Sequence, residues 1–275
     1  MTIYEDMLSA YTNTPEENLR NAEQEVIQQI ALAGLYRGGF FQYAAFYGGT
    51  CLRLFHGLPR FSEDMDFSLV EKRNDIHIEQ FFPAITEEFS LAGHDIQIEK
   101  KDKKIFGRVE SAFLKDNTEA YEIRFQTKKI VKVKIELDTN PPLHFNTEQK
   151  LLLRPYSFMT RCFTLPDLFA GKMHALVYRS WNKRVKGRDW YDFEWYVRHQ
   201  IPLNFQHLQA RISEFNKESP DLPTFKNILY EKLMKTDINA VKQDVMPYVK
   251  NPQELTIWSN EYFLQLAERI VWKQE

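Results

Sequence analysis

The chain has 275 residues and a formal net charge of −2, with 43% hydrophobic and 27% charged residues. Such values are ordinary for a globular protein, and a charge near zero gives no general attraction to nucleic acid, so any such surface must be local. Two cysteines are too few for a disulfide framework. Because no apolar run could span a membrane and no signal peptide is evident, we expect a cytoplasmic protein with no membrane partner.

The predicted elements of the first half alternate between helix and strand. Apolar residues at spacings of three and four favour helices, and aromatic or alternating runs favour strands. Helices are expected over residues 16–34, 50–55 and 75–91, the last broken near Pro83, and strands over 41–47, 64–70 and much of 95–138. A turn is predicted near Lys115-Asp116-Asn117, and either Gly34 or the pair Gly38-Gly39 is expected to end the first helix.

Thr164 opens a second part of the chain in which helices dominate. Thr164 can cap a helix, Pro166 fits its first turn, and Asp167 can complete a capping box. We therefore predict an α+β protein with two domains. The first, residues 1–160, combines strands and helices, and the second, residues 161–275, is mainly helical.

A double glycine followed by two carboxylates is the most informative motif of the chain. Tyr47-Gly48-Gly49-Thr50 is followed, after a short predicted helix, by Asp64-Met65-Asp66. Glycines let the backbone approach a polyphosphate and donate N–H groups to it. Carboxylates can hold the divalent ions that accompany a polyphosphate. The motif therefore indicates phosphate and metal chemistry.

The spacing of the carboxylates predicts that several of them converge. Residues two apart on a strand share a face, so Asp64 and Asp66 project together, as do Glu136 and Asp138 in the run 131–138. If the two strands are neighbours, three or four carboxylates meet, and bound Mg²⁺ would relieve their repulsion. An isolated Asp-x-Asp is more often a solvated strand edge, but the double glycine and the second acidic strand favour a metal site.

Two segments, Tyr47–Leu54 and Arg60–Phe67, resemble the nucleotidyltransferase signature of the AbiEii/AbiGii toxin family, within the DNA polymerase β-like nucleotidyltransferase superfamily. Ile135-Glu136-Leu137 is similar to the element that carries the family's third carboxylate, and Thr139-Asn140-Pro141-Pro142 also resembles family members. The resemblance implies a nucleotidyltransferase-type mixed sheet flanked by helices, with the mainly helical second domain completing the active site. It also implies a set of metal ligands: Asp64, Asp66 and Glu136, with Asp138 in reserve.

A second constellation lies on the predicted helices. Lys172 precedes Asp189 and Asp192, which are three residues apart and so share one helical face. Taken alone, these residues favour a plain ion pair between helices. Family members, however, carry Lys-x-x-Ala, then an arginine, then Arg-Asp-x-x-Asp, and this chain matches with Lys172, Arg179 and Arg188–Asp192. The resemblance implies that Lys172 contacts the triphosphate and that Asp189 is an essential site residue.

Other residues are expected at the nucleotide. By the resemblance, the nucleotide-binding set is Gly48, Gly49, Thr50, Arg60, Ser62 and Lys172. Arg60 could neutralise phosphate or buttress its loop, and Ser62 could donate to phosphate or make a local turn contact. Two basic runs, 100–104 and 179–188, could bind an RNA backbone or could be ordinary solvated loops.

The resemblance implies a reaction and a biological setting. We expect transfer of a nucleoside monophosphate from an NTP, dependent on Mg²⁺ (with Mn²⁺ as a substitute), by the toxin of a toxin–antitoxin or phage-defence system. A tRNA 3′ end is the favoured acceptor, and a cognate antitoxin encoded nearby is the expected partner. Two alternatives stay open: an acceptor hydroxyl on a protein or small molecule, and a non-catalytic nucleotide-binding module.

Overall fold

The computed structural model describes residues 1–11, 19–101, 118–126, 130–179 and 185–273. It divides into two compact units, which are described separately below. The sheet unit comprises Met1–Gly57, Phe61–Pro141 and Thr147–Cys162, and the helical unit comprises Leu58–Arg60, Pro142–Asn146 and Phe163–Glu275. The division expected near residue 160 stays a prediction. The turn expected near Lys115 lies outside the described residues.

A mixed β-sheet forms the centre of the sheet unit, as the sequence predicts. Its strands are β1 (Ala44–Tyr47), β2 (Met65–Leu69), β3 (Ile96–Lys100), β4 (Thr118–Gln126), β5 (Ile130–Asp138), β6 (Thr147–Leu152) and β7 (Phe158–Phe163). Within the described residues the order is β3-β4-β5-β2-β1-β7-β6. β2 is parallel to β5 and β1 is parallel to β7, whereas β1–β2, β3–β4 and β4–β5 are antiparallel. β6 and β7 are strands that the sequence patterns did not predict.

The helices of the sheet unit are α1 (Ile3–Ser9), α2 (Leu19–Arg37), α3 (Gly48–His56) and α4 (Phe82–Leu91). α2 packs against α4 and β5. Gly34 does not end α2, because the helix continues to Arg37; it lets α4 approach, since a Cβ there would lie 2.6 Å from the Ile85 Cα. The break expected near Pro83 is the start of α4, where the proline occupies the first turn and no hydrogen bond is lost.

Two other predicted elements of the sheet unit differ from the structure. Residues Phe40–Gln42 form a 3-10 turn, so the strand expected over 41–47 is only β1. Alternation along β5 is as expected on one face, where Val131, Val133, Ile135 and Leu137 are all buried. On the other face Asp138 is buried as well, so that face is not uniformly solvated.

The helical unit is built from α5 (Leu165–Tyr178), α6 (Gly187–Arg198), α7 (Phe205–Asn216), α8 (Leu222–Lys235), α9 (Ile238–Val245) and α10 (Asn260–Glu268). Two short parallel strands, β8 (Leu203–Asn204) and β9 (Trp272–Lys273), pair within it. Aromatic side chains fill its core; for example, the Phe169 and Tyr196 rings stack 4.4 Å apart. None of the described helices combines the length and apolar character needed to cross a bilayer.

Thr164 immediately precedes α5 as expected, but the expected capping box does not form. The Thr164 hydroxyl donates a hydrogen bond to the Asp167 carboxylate at 2.5 Å and makes no side-chain cap. Asp167 instead accepts hydrogen bonds from the Asn146 backbone N–H and the Asn204 side-chain amide. The aspartate therefore joins the start of α5 to two other segments of the helical unit.

Candidate active site

The two acidic strands are neighbours in the sheet unit, which is the condition on which the convergence of their carboxylates depends. β2 and β5 lie side by side and parallel, with Asp66 opposite Glu136 and Ser68 opposite Asp138. Residues directly opposite one another on paired strands project to the same face of the sheet. The carboxylates of Asp66 and Glu136 therefore share one face, and both residues are half-buried.

The register distinguishes the two candidates for the third carboxylate. Glu136 is opposite Asp66 and forms an ion pair with Lys134, two residues earlier on its own strand. Asp138 is displaced by two residues along β5, and its carboxylate accepts a hydrogen bond from the Asn140 backbone N–H at 3.0 Å. The geometry therefore favours Glu136 over Asp138 as the partner of Asp66.

Gly48 lets the Asp66 carboxylate lie against the start of α3. Its φ of +81° lies in the left-handed region, and a Cβ at this position would be 2.1 Å from Asp66 Oδ2. The first turn of a helix has backbone N–H groups without partners inside the helix, and these attract anions. Gly48, Gly49 and Thr50 form this first turn, so the double glycine combines a close carboxylate with potential phosphate donors.

Asp64 ends the loop that leads into β2, and its backbone is held by Thr50. The Thr50 side chain is fully buried, and its hydroxyl donates a hydrogen bond to the Asp64 carbonyl. The hydroxyl is thus engaged within the protein, so the candidate phosphate donor of Thr50 is its backbone N–H. Ser62, in the same loop, is half-buried, and its carbonyl accepts a hydrogen bond from the Gln28 side chain.

The sequence patterns missed the buried polar residues of α2, of which Glu25 and Gln28 contact elements of this site. Four polar residues of α2 are buried: Gln24, Glu25, Gln28 and Gln29. Glu25 forms an ion pair with Arg53 of α3, at 2.8 Å between Nε and Oε2. A signal was present in the sequence, because polar residues at helical spacing inside an apolar segment require buried partners.

The carboxylates suit a hard divalent cation. Among the described residues, no group of three or more His, Cys, Asp or Glu side chains is already arranged to hold a metal ion. Asp66 and Glu136 nevertheless share one face, and Asp64 lies immediately before β2. Carboxylate oxygens of this kind are the ligands that Mg²⁺ and Mn²⁺ prefer. The donor set therefore fits the expected metal.

The helical unit contains a buried ion network centred on α6. Arg60 is 1% exposed and makes a bidentate pair with Asp192, with Nε–Oδ1 and Nη2–Oδ2 both 2.6 Å. Lys172 Nζ of α5 lies 2.8 Å from Asp192 Oδ2 and 3.1 Å from Asp189 Oδ1. Arg179 Nη1 lies 3.4 Å from Asp189 Oδ2. Three cations thus surround two aspartates.

These cations determine the charge state of the aspartates. Burial alone would raise the pKa of Asp189, but the positive charges of Lys172, Arg179 and Lys186 outweigh it and hold the pKa well below its usual range. For Asp192, burial is likewise outweighed, by Arg60 and Lys172, and the pKa is lowered. Both aspartates are therefore ionised at neutral pH.

The network contains the ion pair between helices that the residue types alone favoured. Lys172 contacts both aspartates, and the geometry of Arg60 matches the buttressing alternative, since its guanidinium is buried against Asp192.

The two basic runs, 100–104 and 179–188, are described only in part, and some of their described residues contact other side chains. Lys101 pairs with Glu122 and Arg188 lies over the Tyr248 ring, whereas residues 102–104 and 180–184 lie outside the described residues.

Comparison with known proteins identifies the family. The sequence model of the nucleotidyl transferase AbiEii toxin, of type IV toxin–antitoxin systems, matches residues 30–266. The chain belongs to the AbiEii family. It is therefore a nucleotidyltransferase, and the toxin–antitoxin system implies an antitoxin partner. No curated protein matches the chain in sequence.

Solved structures share the AbiEii fold of this chain at low sequence identity. MenT4, a nucleotidyltransferase toxin from Mycobacterium tuberculosis H37Rv, is 12% identical with a TM-score of 0.55, and the match covers 98% of both chains. JHP933 from Helicobacter pylori is 17% identical with a TM-score of 0.51, over 90% of both chains. At these identities the likeness establishes the fold alone.

Proposed function

We propose that this chain transfers a nucleoside monophosphate from an NTP to an acceptor hydroxyl and releases pyrophosphate. The observation that carries the proposal is the pairing of Asp66 with Glu136 on adjacent strands, with Gly48 shaped to admit the Asp66 carboxylate at the start of α3. Such a site can bind a triphosphate and its metal ions together.

Asp64, Asp66 and Glu136 would hold Mg²⁺, or Mn²⁺ in its place. When bound, the metal stabilises negative charge on the phosphoryl oxygens and makes the acceptor hydroxyl a better nucleophile. Glu136 would in addition accept the proton of that hydroxyl, which lets the oxygen attack the α-phosphorus. The backbone N–H groups of Gly48, Gly49 and Thr50 would orient the triphosphate in line for this displacement.

Lys172 would bind the triphosphate as a point charge, as the family resemblance implies. Its Nζ now contacts two aspartates, so the role requires the ammonium to share its donors with phosphate oxygens. Asp189 would then act by orienting Lys172. Arg60 would act in the same indirect way, through Asp192.

A tRNA 3′ end remains the proposed acceptor. A cognate antitoxin is the proposed partner, and the cytoplasm is the proposed location. Family membership supports the toxin–antitoxin setting, and the basic run 179–188 before Asp189 supports a nucleic-acid acceptor. A role in phage defence belongs to the same proposal.

The test is incubation of the purified chain with each labelled NTP, Mg²⁺, and either total tRNA or total cell protein. We expect label in tRNA, none with Asp64→Ala, and growth arrest on induction of the wild type but not of that variant. Label in protein alone would replace the tRNA acceptor with a protein hydroxyl. Unchanged transfer and toxicity in Asp64→Ala would refute the enzymatic account of this site.

A further inference from the structure

The buried amide of Gln28 holds the loop that carries the first carboxylate. Gln28 lies on α2 and is 0% exposed. Its Nε2 donates hydrogen bonds to the carbonyls of Ser62, at 2.9 Å, and Glu63, at 3.0 Å. The next carbonyl, that of Asp64, accepts the Thr50 hydroxyl. Three successive carbonyls of one loop are therefore bound by side chains from two helices.

The two donors are fixed with respect to each other. Gln28 belongs to α2 and Thr50 to α3, and the two helices are joined by the ion pair between Glu25 and Arg53. The Tyr11 hydroxyl donates a further hydrogen bond to Glu25, at 2.8 Å. A rigid pair of donors can orient a short irregular segment, because each bound carbonyl restricts the ψ angle of its residue.

The position of the held segment gives the contact a function. β2 begins at Met65, directly after the three bound carbonyls, so the peptide planes of residues 62–64 determine where Asp64 projects and how Asp66 enters the sheet. Side chains that orient metal ligands affect metal affinity and rate without touching the metal. We propose that Gln28 is a positioning residue for the carboxylates Asp64 and Asp66, an inference that rests on the proposed function of that site.

Gln24 provides a matched control on the same helix. It is also buried, and its Nε2 donates a hydrogen bond of 3.1 Å to a backbone carbonyl, that of Lys132 on β5. This contact fixes α2 to the sheet but does not touch the loop before β2. Replacing either glutamine by methionine keeps the side-chain length and removes the amide donor. A purely structural amide would give the same result at both positions.

The experiment compares Gln28→Met, Gln24→Met and the wild type in the 275-residue chain. We expect similar losses of Tm in both variants. Only Gln28→Met should speed hydrogen exchange of the amides at 61–66, and only it should weaken binding of Mg²⁺ alone, measured by calorimetry, by about 10- to 100-fold. The kcat for nucleotidyl transfer should fall by about the same factor, whereas Gln24→Met should stay within about twofold of the wild type.

The outcomes separate this inference from the proposed function. If the wild type binds Mg²⁺ and transfers nucleotide but the two variants behave alike in exchange, affinity and kcat, the positioning role is refuted. If the wild type transfers no nucleotide, the proposed function fails, and the exchange difference at 61–66 still decides whether Gln28 holds the loop. If Gln28→Met does not fold, Thr50→Val removes the adjacent donor of the same loop and is judged by the same readouts.

Discussion

The two acidic clusters of this protein look alike in sequence and differ in structure. In the helical unit, Asp189 and Asp192 are 2% and 0% exposed and are surrounded by cations from their own unit. In the sheet unit, Asp66 and Glu136 are half-buried and lie at the start of a helix. A buried carboxylate matched by cations contributes to structure, whereas carboxylates grouped on an accessible face can take up external cations. The same residue type thus serves two purposes.

The largest effect expected from this comparison is on activity. Asp66→Asn keeps the shape of the side chain but removes its charge, and we expect nucleotidyl transfer to fall by about 1,000-fold. The free energy of unfolding should change by less than about 1 kcal/mol, because Asp66 is only half-buried, whereas Asp189 and Asp192 are fully buried within their ion network. Rates with labelled NTP and urea denaturation measure the two quantities.

Asp75→Asn is the control for Asp66→Asn, because Asp75 is exposed and pairs only with the nearby Arg73 among the described ion pairs. It should alter neither rate nor stability. If Asp66→Asn lowered the free energy of unfolding but left the rate of nucleotidyl transfer unchanged, the role assigned to the sheet unit's carboxylates would be wrong.

The second effect is on stability. Asp192→Ala leaves the Arg60 guanidinium buried without its bidentate partner, and we expect a loss of about 3–5 kcal/mol in the free energy of unfolding. Urea denaturation of the 275-residue chain measures this loss. The double variant Arg60→Met with Asp192→Leu removes both charges, so it should be less destabilised than Asp192→Ala. Equal losses in the single and double variants would show that the pair is not the source of the effect.

The sequence patterns predicted the orientation of the sheet unit's carboxylates because that orientation depends on the alternation within each strand, which is a local property. The period-two alternation of 131–138 fixes which side chains share a face, and apolar residues on both strands drive β2 and β5 into the core. Asp66 and Glu136 could therefore each be assigned to a face of their own strand, whereas the pairing of β2 with β5 is supplied by the structure. The glycines in the first turn of α3 were recognisable for the same reason, since they are adjacent in the sequence.

The contacts that no local pattern encodes were not predicted. Arg60 and Asp192 are 132 residues apart in the chain, and Gln28 is 34 residues from Ser62. Such pairs depend on how the elements pack, so the spacing of residues along one helix cannot reveal them. The sequence therefore does not distinguish the two roles of Arg60, neutralising phosphate and supporting its loop. Nor does it indicate that Gln28 contacts the loop before β2.

The third effect separates a glycine at the site from a glycine outside it. Gly48 and Gly57 both have left-handed φ angles, +81° and +76°, so alanine at either position should cost about 1–2 kcal/mol of stability. A Cβ at Gly48 would collide with Asp66, whereas a Cβ at Gly57 meets nothing within 4 Å. We therefore expect Gly48→Ala, but not Gly57→Ala, to lose about 10- to 100-fold in activity as well. Equal activities would mean that the Asp66 carboxylate can move without consequence.

The smallest effect is the pH dependence of stability, which we trace to His207 in the helical unit and to His56 in the sheet unit. In the helical unit, burial first and then the charge of Arg211 lower the pKa of His207 from 6.5 to about 3. In the sheet unit, burial first and then Lys150 lower the pKa of His56 to about 4. Asp189 and Asp192 have lowered pKa values too, so their contribution is kept above about pH 4 and is lost only as the pH falls through their folded-state values.

The histidines therefore govern the range between pH 7 and 5. In the unfolded chain a histidine binds a proton near pH 6.5, whereas in the folded chain these two histidines stay neutral at that pH. The free energy of unfolding is therefore highest above about pH 6.5 and falls as the pH decreases. The slope should approach about 1.4 kcal/mol per pH unit for each histidine. Urea denaturation at pH 7, 6 and 5 measures it. His207→Gln and His56→Gln should each remove about half of the slope, because both folded-state pKa values lie below this pH range. A slope that survives both substitutions would have to come from other groups, and one that vanishes with His56→Gln alone would show that the sheet unit limits stability in acid.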